Sequence, residues 1–123
     1  MEKIKILYVD DEQLNLMLLK LNLRGKYDVI IANSAAEGLK LLESESNIAV
    51  VISDMKMPNV SGIEFIEQAK KKYTEIKYFI LTGLDITPEI EEAIQSGLIL
   101  DYFNKPFKPD EIEKSISDAF AND

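Results

Sequence analysis

Acidic side chains stand directly after two of the apolar segments in this 123-residue chain. Asp10 and Asp11 follow an apolar run that ends at Val9, and Asp54 follows the run Ile48–Ser53. Carboxylate oxygens are ligands for hard cations such as Mg²⁺, and a carboxylate can also attack phosphorus as a nucleophile. If the fold brings these three acids together, the chemistry that they favour is phosphoryl transfer at a divalent cation.

A hydroxyl and an ammonium group follow two further apolar segments. Thr82 stands after the run Ile76–Leu81, and Lys105 comes two positions after the run Ile99–Phe103. Three carboxylates packed together cannot all stay ionised without a counter-charge, which a lysine and a bound cation would supply. A hydroxyl and a fixed ammonium group would also bind the remaining oxygens of a phosphoryl group.

Each of these residues also has a simpler structural explanation. Asp11 could cap the first helix, and Asp54 could open a turn. Thr82 could end a strand with its hydroxyl satisfied, and Lys105 could be a surface lysine. Taken singly, the simpler explanations are favoured, but their joint occurrence at four of five predicted strand ends favours one shared site.

The elements that must position these residues alternate along the chain. Apolar runs predict strands over Lys3–Val9, Tyr27–Ala32, Ile48–Ser53, Ile76–Leu81 and Ile99–Phe103. Helices are predicted over Gln13–Arg24, from the capping box Ser34-x-x-Glu37, from the capping box Ser61-x-x-Glu64 to Tyr73, from Thr87-Pro88 to Ser96, and from Pro109 to Phe120. In the first helix, the residues that set the helical spacing are Leu14, Met17, Leu18 and Leu21.

This pattern is a (βα)₅ α/β fold, and five βα units are too few for an eight-stranded barrel. The strands are apolar on both faces, which predicts an open, doubly wound parallel sheet covered by helices. Ligands of such sheets bind outside the carboxyl ends of the strands. We therefore expect Asp10, Asp11, Asp54, Thr82 and Lys105 to meet at one edge of the sheet.

Composition excludes several kinds of site. The chain has 0 Cys and 0 His, which excludes zinc–thiolate sites, histidine bases and Ser-His-Asp triads and leaves an all-oxygen site suited to Mg²⁺. The length predicts one domain over residues 1–123. No apolar run approaches the about 20 residues of a membrane span, and the start Met1-Glu2-Lys3 does not resemble a signal peptide. We therefore expect a cytoplasmic protein that does not bind membranes.

Charge argues against nucleic acid as a partner. The formal net charge is −8, of which residues 84–123 contribute −7 through 10 acidic and 3 basic residues. Such a surface repels phosphate backbones, so no direct nucleic-acid binding is expected. Along the sequence, the only tight basic cluster is Lys70-Lys71-Lys72. The acidic segment is explained equally well by solubility and by an acidic surface for a partner.

Four short motifs follow the predicted strands. They are Val9-Asp10-Asp11-Glu12, Asp54-Met55-Lys56-Met57-Pro58-Asn59-Val60-Ser61-Gly62, Leu81-Thr82-Gly83, and Asp101-Tyr102-Phe103-Asn104-Lys105-Pro106-Phe107. Together, and in this order, they resemble the receiver domain of two-component response regulators, the family of the chemotaxis regulator. The resemblance covers essentially the whole chain. It implies a flavodoxin-like sheet with strand order 2-1-3-4-5.

The resemblance also implies how the acids would work. Asp54 would be the phospho-acceptor, taking a phosphoryl group from the phosphohistidine of a sensor histidine kinase or phosphotransfer protein, or from a small acyl phosphate. Asp11, Asp54 and the backbone carbonyl of Lys56 would bind Mg²⁺ directly. Asp10 would act mainly through a water bound to the metal.

Three further residues would turn phosphorylation into a signal, if the resemblance holds. Lys105 would pair first with Asp54 and then with the phosphoryl group, and Thr82 would move to hydrogen-bond a phosphoryl oxygen. Tyr102 would be the switch aromatic that turns inward. The Lys105–Pro106 peptide is expected to be cis. The surface that partners read would be the last helix–strand–helix face, within residues 84–123.

Two departures from the family pattern affect that face. Leu98-Ile99-Leu100 between Gly97 and Asp101 is one residue longer than the common form, so the approach to the fifth strand is expected to differ. The last helix contains no Arg. A symmetric dimer held by Arg and Lys against acids, as in the transcription-factor branch of the family, is therefore not expected.

Two other functions compete with the phosphorylation switch. A Mg²⁺-dependent phosphatase with an Asp nucleophile, of the haloacid-dehalogenase type, needs Asp-x-Asp at one strand end, whereas Met55-Lys56 follow Asp54. A degenerate receiver that binds partners without phosphorylation would lack an acid or the lysine, and all are present here. The sequence leaves open whether the chain stands alone or precedes an output domain.

Overall fold

Five parallel strands form one sheet, and five helices connect and cover them. The computed structural model describes residues 3–83 and 85–121. The strands are β1 (Lys5–Val9), β2 (Asp28–Ala32), β3 (Ile48–Asp54), β4 (Lys77–Thr82) and β5 (Asp101–Asn104), in the order β2-β1-β3-β4-β5. The helices are α1 (Gln13–Leu23), α2 (Ala35–Ser44), α3 (Gly62–Lys72), α4 (Pro88–Gln95) and α5 (Pro109–Ala121). This confirms the predicted doubly wound α/β fold and its strand order.

The sheet is buried on both faces, and each face has its own hydrophobic core. Val50 and Ile52 of β3 face the core under α1 and α5, whereas Val51 faces the core under α2, α3 and α4. All three side chains are completely buried. This alternation explains why β3 is a continuous apolar run, since both of its faces must exclude water. No helix within the described residues 3–83 and 85–121 is long and apolar enough to cross a membrane.

Helix α1 buries a different face from the one that its spacing suggested. The side chains in the core are Leu16, Leu19 and Leu23, between 0% and 2% exposed. The residues that we used to predict the helix lie outward, between 41% and 66% exposed: Leu14, Met17, Leu18 and Leu21. We call these four residues the outer stripe of α1. The helix carries apolar side chains on two faces, so periodicity predicts that it is helical but not which face is buried.

The predicted helix starts are confirmed, with one difference. The Ser61 hydroxyl accepts from the backbone N–H of Glu64, whose carboxylate accepts in return from the N–H of Ser61, which completes the capping box. At α2, the Ser34 hydroxyl accepts from the N–H of Glu37, but the Glu37 carboxylate accepts from Asn33, one residue earlier. Thr87 caps α4 directly before Pro88, as predicted.

The predicted start of the fifth strand at Ile99 is wrong. The backbone N–H groups of Leu98 and Ile99 both donate to the carbonyl of Ala93, at 2.9 and 3.2 Å, and so wrap around the end of α4. Gly97 makes this turn possible with a φ of 82°, a conformation that glycine adopts without strain. Strand β5 starts only at Asp101, and the apolar character of Ile99 reflects its burial in the core rather than pairing in the sheet.

The start of α3 approaches the end of β3 so closely that position 62 requires glycine. A Cβ atom at Gly62 would lie 2.3 Å from the backbone oxygen of Asp54 and 2.9 Å from a methyl carbon of Ile80. The Gly62 N–H also donates to the Met55 carbonyl at 2.8 Å. Close packing here fixes the strand end that carries Asp54.

Replacing Gly62 by alanine should therefore destabilise the fold. We expect Gly62→Ala to lower the free energy of unfolding by about 2–3 kcal/mol, because the backbone at Asp54 must move. Urea denaturation would measure this. Gly25→Ala is the matched control, since a Cβ there meets no atom within 4 Å, and its effect should stay within about 0.5 kcal/mol. Equal effects of the two substitutions would contradict the packing argument.

Candidate functional site

The carboxyl ends of the four strands β1, β3, β4 and β5 bring the predicted residues to one edge of the sheet. Asp10 directly follows β1, Asp54 and Thr82 are the last residues of β3 and β4, and Lys105 directly follows β5. Backbone hydrogen bonds continue beyond the strand ends and fix their positions. Asp10 N donates to the carbonyl of Ala32 at 3.1 Å, and Lys105 N donates to the carbonyl of Thr82 at 2.8 Å.

Three carboxylates meet at this edge. One oxygen from each of Asp10, Asp11 and Asp54 lies within 4.8 Å of the others. Asp10 is 0% and Asp54 5% exposed, whereas Asp11 is exposed to solvent. The alternative that Asp11 caps α1 is wrong, because the N-cap residue of that helix is Glu12. An all-oxygen donor set of this spacing and charge fits Mg²⁺, which takes one or two carboxylates and keeps waters.

Lys105 supplies the positive charge of the cluster. Its Nζ lies 3.0 Å from Oδ1 of Asp54 and 3.2 Å from Oδ2 of Asp10. Its side chain is only 22% exposed and its ammonium group is held by two carboxylates, so the alternative of a surface lysine that extends its ammonium group into water is wrong. The pair with Asp54 was expected, but the second pair with Asp10 was not. The Lys105–Pro106 peptide is cis, as expected.

The mutual charges change the proton affinity of both partners. Burial raises the pKa of Asp54 above its usual range, and repulsion from Asp10 and Asp11 raises it further, while Lys105 opposes both effects. Burial alone would lower the pKa of Lys105, but its hydrogen bond to Asp54 and the charges of Asp54 and Asp10 raise it overall. The lysine therefore stays charged, and the Asp54 carboxylate is more basic than an exposed aspartate.

Four donors surround the completely buried Asp10. Its Oδ1 accepts from the backbone N–H of Glu12 at 2.9 Å. Its Oδ2 accepts from Nζ of Lys105, from the amide of Asn15 at 3.3 Å and from the hydroxyl of Tyr8 at 2.5 Å. Hydrogen bonds to a carboxylate offset the cost of removing its charge from water. Sequence reasoning identified neither Tyr8 nor Asn15, although Tyr8 precedes Asp10 by two residues, a spacing that in extended backbone points two side chains to the same side of a sheet.

A cavity of about 540 Å³ opens over this cluster. Asp11, Asp54, Thr82 and Lys105 all line it, and so does Lys56, whose backbone carbonyl was predicted to bind the metal. That coordination stays a prediction. Tyr102 lies elsewhere, half-buried on β5 against the core under α2, α3 and α4. The structure thus brings together every predicted site residue except the switch aromatic.

Removing Asp11 should separate metal binding from folding. We expect Asp11→Ala to weaken Mg²⁺ binding at least tenfold, since a carboxylate is lost from the cation site. Stability without metal should be unchanged or higher, because less negative charge is then packed together. Calorimetric Mg²⁺ titration and urea denaturation in EDTA would measure the two effects.

Asp28→Ala is the control for Asp11→Ala. It removes the same charge from an exposed residue at the opposite edge of the sheet. Its Mg²⁺ affinity should equal that of the unmodified chain. If Asp11→Ala and Asp28→Ala had the same Mg²⁺ affinity, Asp11 would not belong to the cation site.

Comparisons with known proteins agree on one family. The model of the response regulator receiver domain matches residues 6–117. The chain is 37% identical over 116 residues to the alkaline phosphatase synthesis transcriptional regulatory protein PhoP of Bacillus subtilis, covering 91% of this chain and 46% of that protein. The chain is also similar to the hydrogenase transcriptional regulatory protein HoxA of Bradyrhizobium diazoefficiens, of which it spans 23%. These regulators are therefore considerably longer than the chain described here.

Relatives and structures of similar length also match. A chemotaxis protein CheY homolog of Campylobacter jejuni is 29% identical over 121 residues, covering 95% of this chain and 92% of that protein. The crystal structure of a CheY-like response regulator receiver domain protein from Methanospirillum hungatei superposes with a TM-score of 0.88 at 29% identity. That alignment covers 98% of this chain and 96% of the other.

Proposed function

This chain belongs to the response regulator receiver family, and we propose on that premise that it is a cytoplasmic phosphorylation switch with Asp54 as its phospho-acceptor. The observation that carries the proposal is the setting of the Asp54 carboxylate. It ends the central strand, lines the cavity, and has Nζ of Lys105 at 3.0 Å on one of its oxygens. A carboxylate that is more basic than usual, lines an open cavity and lies beside the ammonium group of Lys105 is suited to attack an electrophilic phosphorus.

In the proposed reaction, an oxygen of Asp54 attacks the phosphorus of a phosphohistidine on a sensor histidine kinase or phosphotransfer protein. An O–P bond forms, the N–P bond breaks, and the imidazole leaves with the electron pair. With a small acyl phosphate as donor, the carboxylate of the acyl group leaves instead. The chain catalyses its own phosphorylation in this way, and as a member of this family it is a signalling switch rather than an ordinary enzyme.

Asp11, Asp54 and the carbonyl of Lys56 would hold Mg²⁺ directly in this site, and Asp10 would act mainly through a water bound to the ion. The ion would neutralise the repulsion between the carboxylate and the anionic donor. The spacing of the three carboxylates and the absence of His and Cys from the sequence support this assignment. The Lys105 ammonium is placed to bind a phosphoryl oxygen as the charge on Asp54 is replaced by that of the phosphoryl group.

We propose that Thr82 and Tyr102 transmit the change. Thr82 lines the cavity at the end of β4, and Tyr102 lies on the adjacent β5, paired with Ile80 in the ladder. A hydroxyl drawn to the phosphoryl group would favour one of two conformations that already exist. The surface read by a partner would be the face of α4, β5 and α5.

The degenerate, phosphorylation-independent receiver is the second candidate. A receiver of that kind usually lacks one of the acids or the lysine, whereas here all are present and Lys105 contacts both Asp10 and Asp54. The phosphatase alternative still lacks an Asp-x-Asp pair at Asp54, since Met55 and Lys56 follow it.

Acetyl phosphate tests the proposal directly. Incubation with Mg²⁺ should add one phosphoryl group per chain, seen in the intact mass, and hydroxylamine should remove it because acyl phosphates are cleaved by this nucleophile. Labelling that survives hydroxylamine would indicate a different acceptor, and no labelling at all would favour the degenerate receiver.

A further inference from the structure

Beneath the acidic cluster, the hydroxyl of a core tyrosine is aimed at Asp10. Tyr8 lies on β1 and is 1% exposed, with its ring packed in the core under α1 and α5. Tyr8 OH donates a hydrogen bond of 2.5 Å to Oδ2 of Asp10. Burial, this hydrogen bond and the surrounding negative charge raise the pKa of Tyr8 far above its usual value, so the hydroxyl remains a donor.

Tyr8 differs from the other donors to the same oxygen. Asn15 and Lys105 reach Oδ2 of Asp10 at 3.3 and 3.2 Å from the surface side, on side chains that are only partly buried. The Tyr8 ring is packed in the core under α1 and α5, and this packing fixes the position of its hydroxyl. Tyr8, Asp10, Lys105 and Asp54 therefore form a continuous series of polar contacts from the core to the proposed phospho-acceptor.

On the premise of the function proposed above, we propose that Tyr8 is a positioning residue for phosphorylation, whose hydroxyl fixes the orientation of the Asp10 carboxylate toward Lys105 and the cation site. Tyr8 is not among the residues that line the cavity, so it would act through Asp10 rather than on the metal or the phosphoryl group. Mg²⁺ demands near-ideal octahedral geometry, so the orientation of each carboxylate matters. Partners that orient a ligand in this way typically change metal affinity 10–100-fold when they are removed.

The substitution Tyr8→Phe deletes this hydroxyl and keeps the ring. We expect the dissociation constant for Mg²⁺, measured by calorimetry on the full chain, to rise about tenfold. Tyr78→Phe is the matched control. Tyr78 is also about 1% exposed, and its hydroxyl donates to the carbonyl of Tyr73 at 2.8 Å, away from the acidic edge. Tyr78→Phe should lower the free energy of unfolding about as much as Tyr8→Phe does, but its Mg²⁺ affinity should be unchanged.

A second substitution tests whether Tyr8 acts through Asp10. In an Asp10→Asn background, adding Tyr8→Phe should change the Mg²⁺ affinity by less than about twofold, because the two residues would form one unit. An additive tenfold effect would overturn the proposal. So would equal Mg²⁺ affinities of Tyr8→Phe and the unmodified chain, or a tighter affinity of Tyr8→Phe, which would mean that the hydroxyl competes with the ion.

The unmodified chain offers a measurement that does not depend on folding of a variant. The Tyr8 hydroxyl proton should give a slowly exchanging, downfield NMR signal that shifts when Mg²⁺ is added. A signal unaffected by saturating Mg²⁺ would overturn the positioning role. Failure of the unmodified chain to bind Mg²⁺ would instead contradict the proposed function, so the two failures are distinguishable.

Discussion

Asp54→Asn should abolish phosphorylation of this chain by acetyl phosphate. The substitution keeps the shape of the side chain but replaces the nucleophilic carboxylate with a neutral amide, so intact mass should show no added phosphoryl group under conditions that label the unmodified chain fully. Asp28→Asn, an exposed residue at the other edge of the sheet, should be labelled like the unmodified chain. Full labelling of Asp54→Asn would refute the assignment of the acceptor.

Chelating the metal should have nearly as large an effect on the unmodified chain. Two like charges 4 Å apart repel by about 4 kcal/mol at an effective dielectric constant of 20. This corresponds to about three powers of ten in rate. We therefore expect the initial rate of labelling to fall about a thousandfold in EDTA and to return when excess Mg²⁺ is added. Equal rates with and without EDTA would mean that the acids do not act through a cation.

Lys105→Met should make the stability of the metal-free protein strongly dependent on pH. The substitution leaves Asp10 and Asp54 without their shared cation, so the free energy of unfolding in EDTA at neutral pH should fall by about 2 kcal/mol. This is less than for a fully buried pair, because Lys105 is partly exposed. The loss of the cation also raises the pKa of Asp54 further. When the pKa of a carboxyl group is raised in the folded state, the protein loses stability as the pH rises through that pKa. The free energy of unfolding of the variant should therefore be closest to that of the unmodified chain at acid pH.

Mg²⁺ should restore much of the stability lost in Lys105→Met. A cation that binds only the folded chain stabilises it by mass action, and it also replaces the missing positive charge. Urea denaturation at several pH values, with Mg²⁺ and with EDTA, would measure both effects. Lys114→Met is the control, because Lys114 pairs with Asp118 at 3.1 Å on the exposed surface of α5. A pH-independent loss in Lys105→Met would contradict the electrostatic explanation.

The fold was largely predictable from the sequence because its signals are local. The capping box at Ser61 and the Thr87-Pro88 start of α4 mark helix boundaries through bonds between neighbouring residues. The start of β5 was not predictable in this way. Ile99 is as apolar as a strand residue, and only its hydrogen bond to Ala93 shows that the chain is still wrapping around α4. Apolar character indicates burial, but backbone pairing requires the three-dimensional structure.

The site was predictable to the level of which residues meet, because the carboxyl ends of parallel strands share one edge. What could not be predicted is how they share charge. The two contacts of Lys105 and the four donors around Asp10 depend on distances of a few tenths of an ångström. Tyr8 was missed because an aromatic residue within an apolar strand is typical of a core position. The sequence pattern does not predict which group its hydroxyl contacts.

The outer stripe of α1 divides the mutational tolerance of that helix into two halves. Leu16, Leu19 and Leu23 exclude water from the core, so truncating any of them to alanine costs folding free energy of about 2–5 kcal/mol. The side chains of the outer stripe are between 41% and 66% exposed, and exchange of the most exposed of them, Leu14, for a polar residue of good helix propensity costs about 0.5 kcal/mol or less. A single helix of 11 residues thus carries one face whose composition the fold dictates and another on which the fold imposes much less, so that a change at Leu14 would alter retention on a hydrophobic column without altering the sheet beneath it.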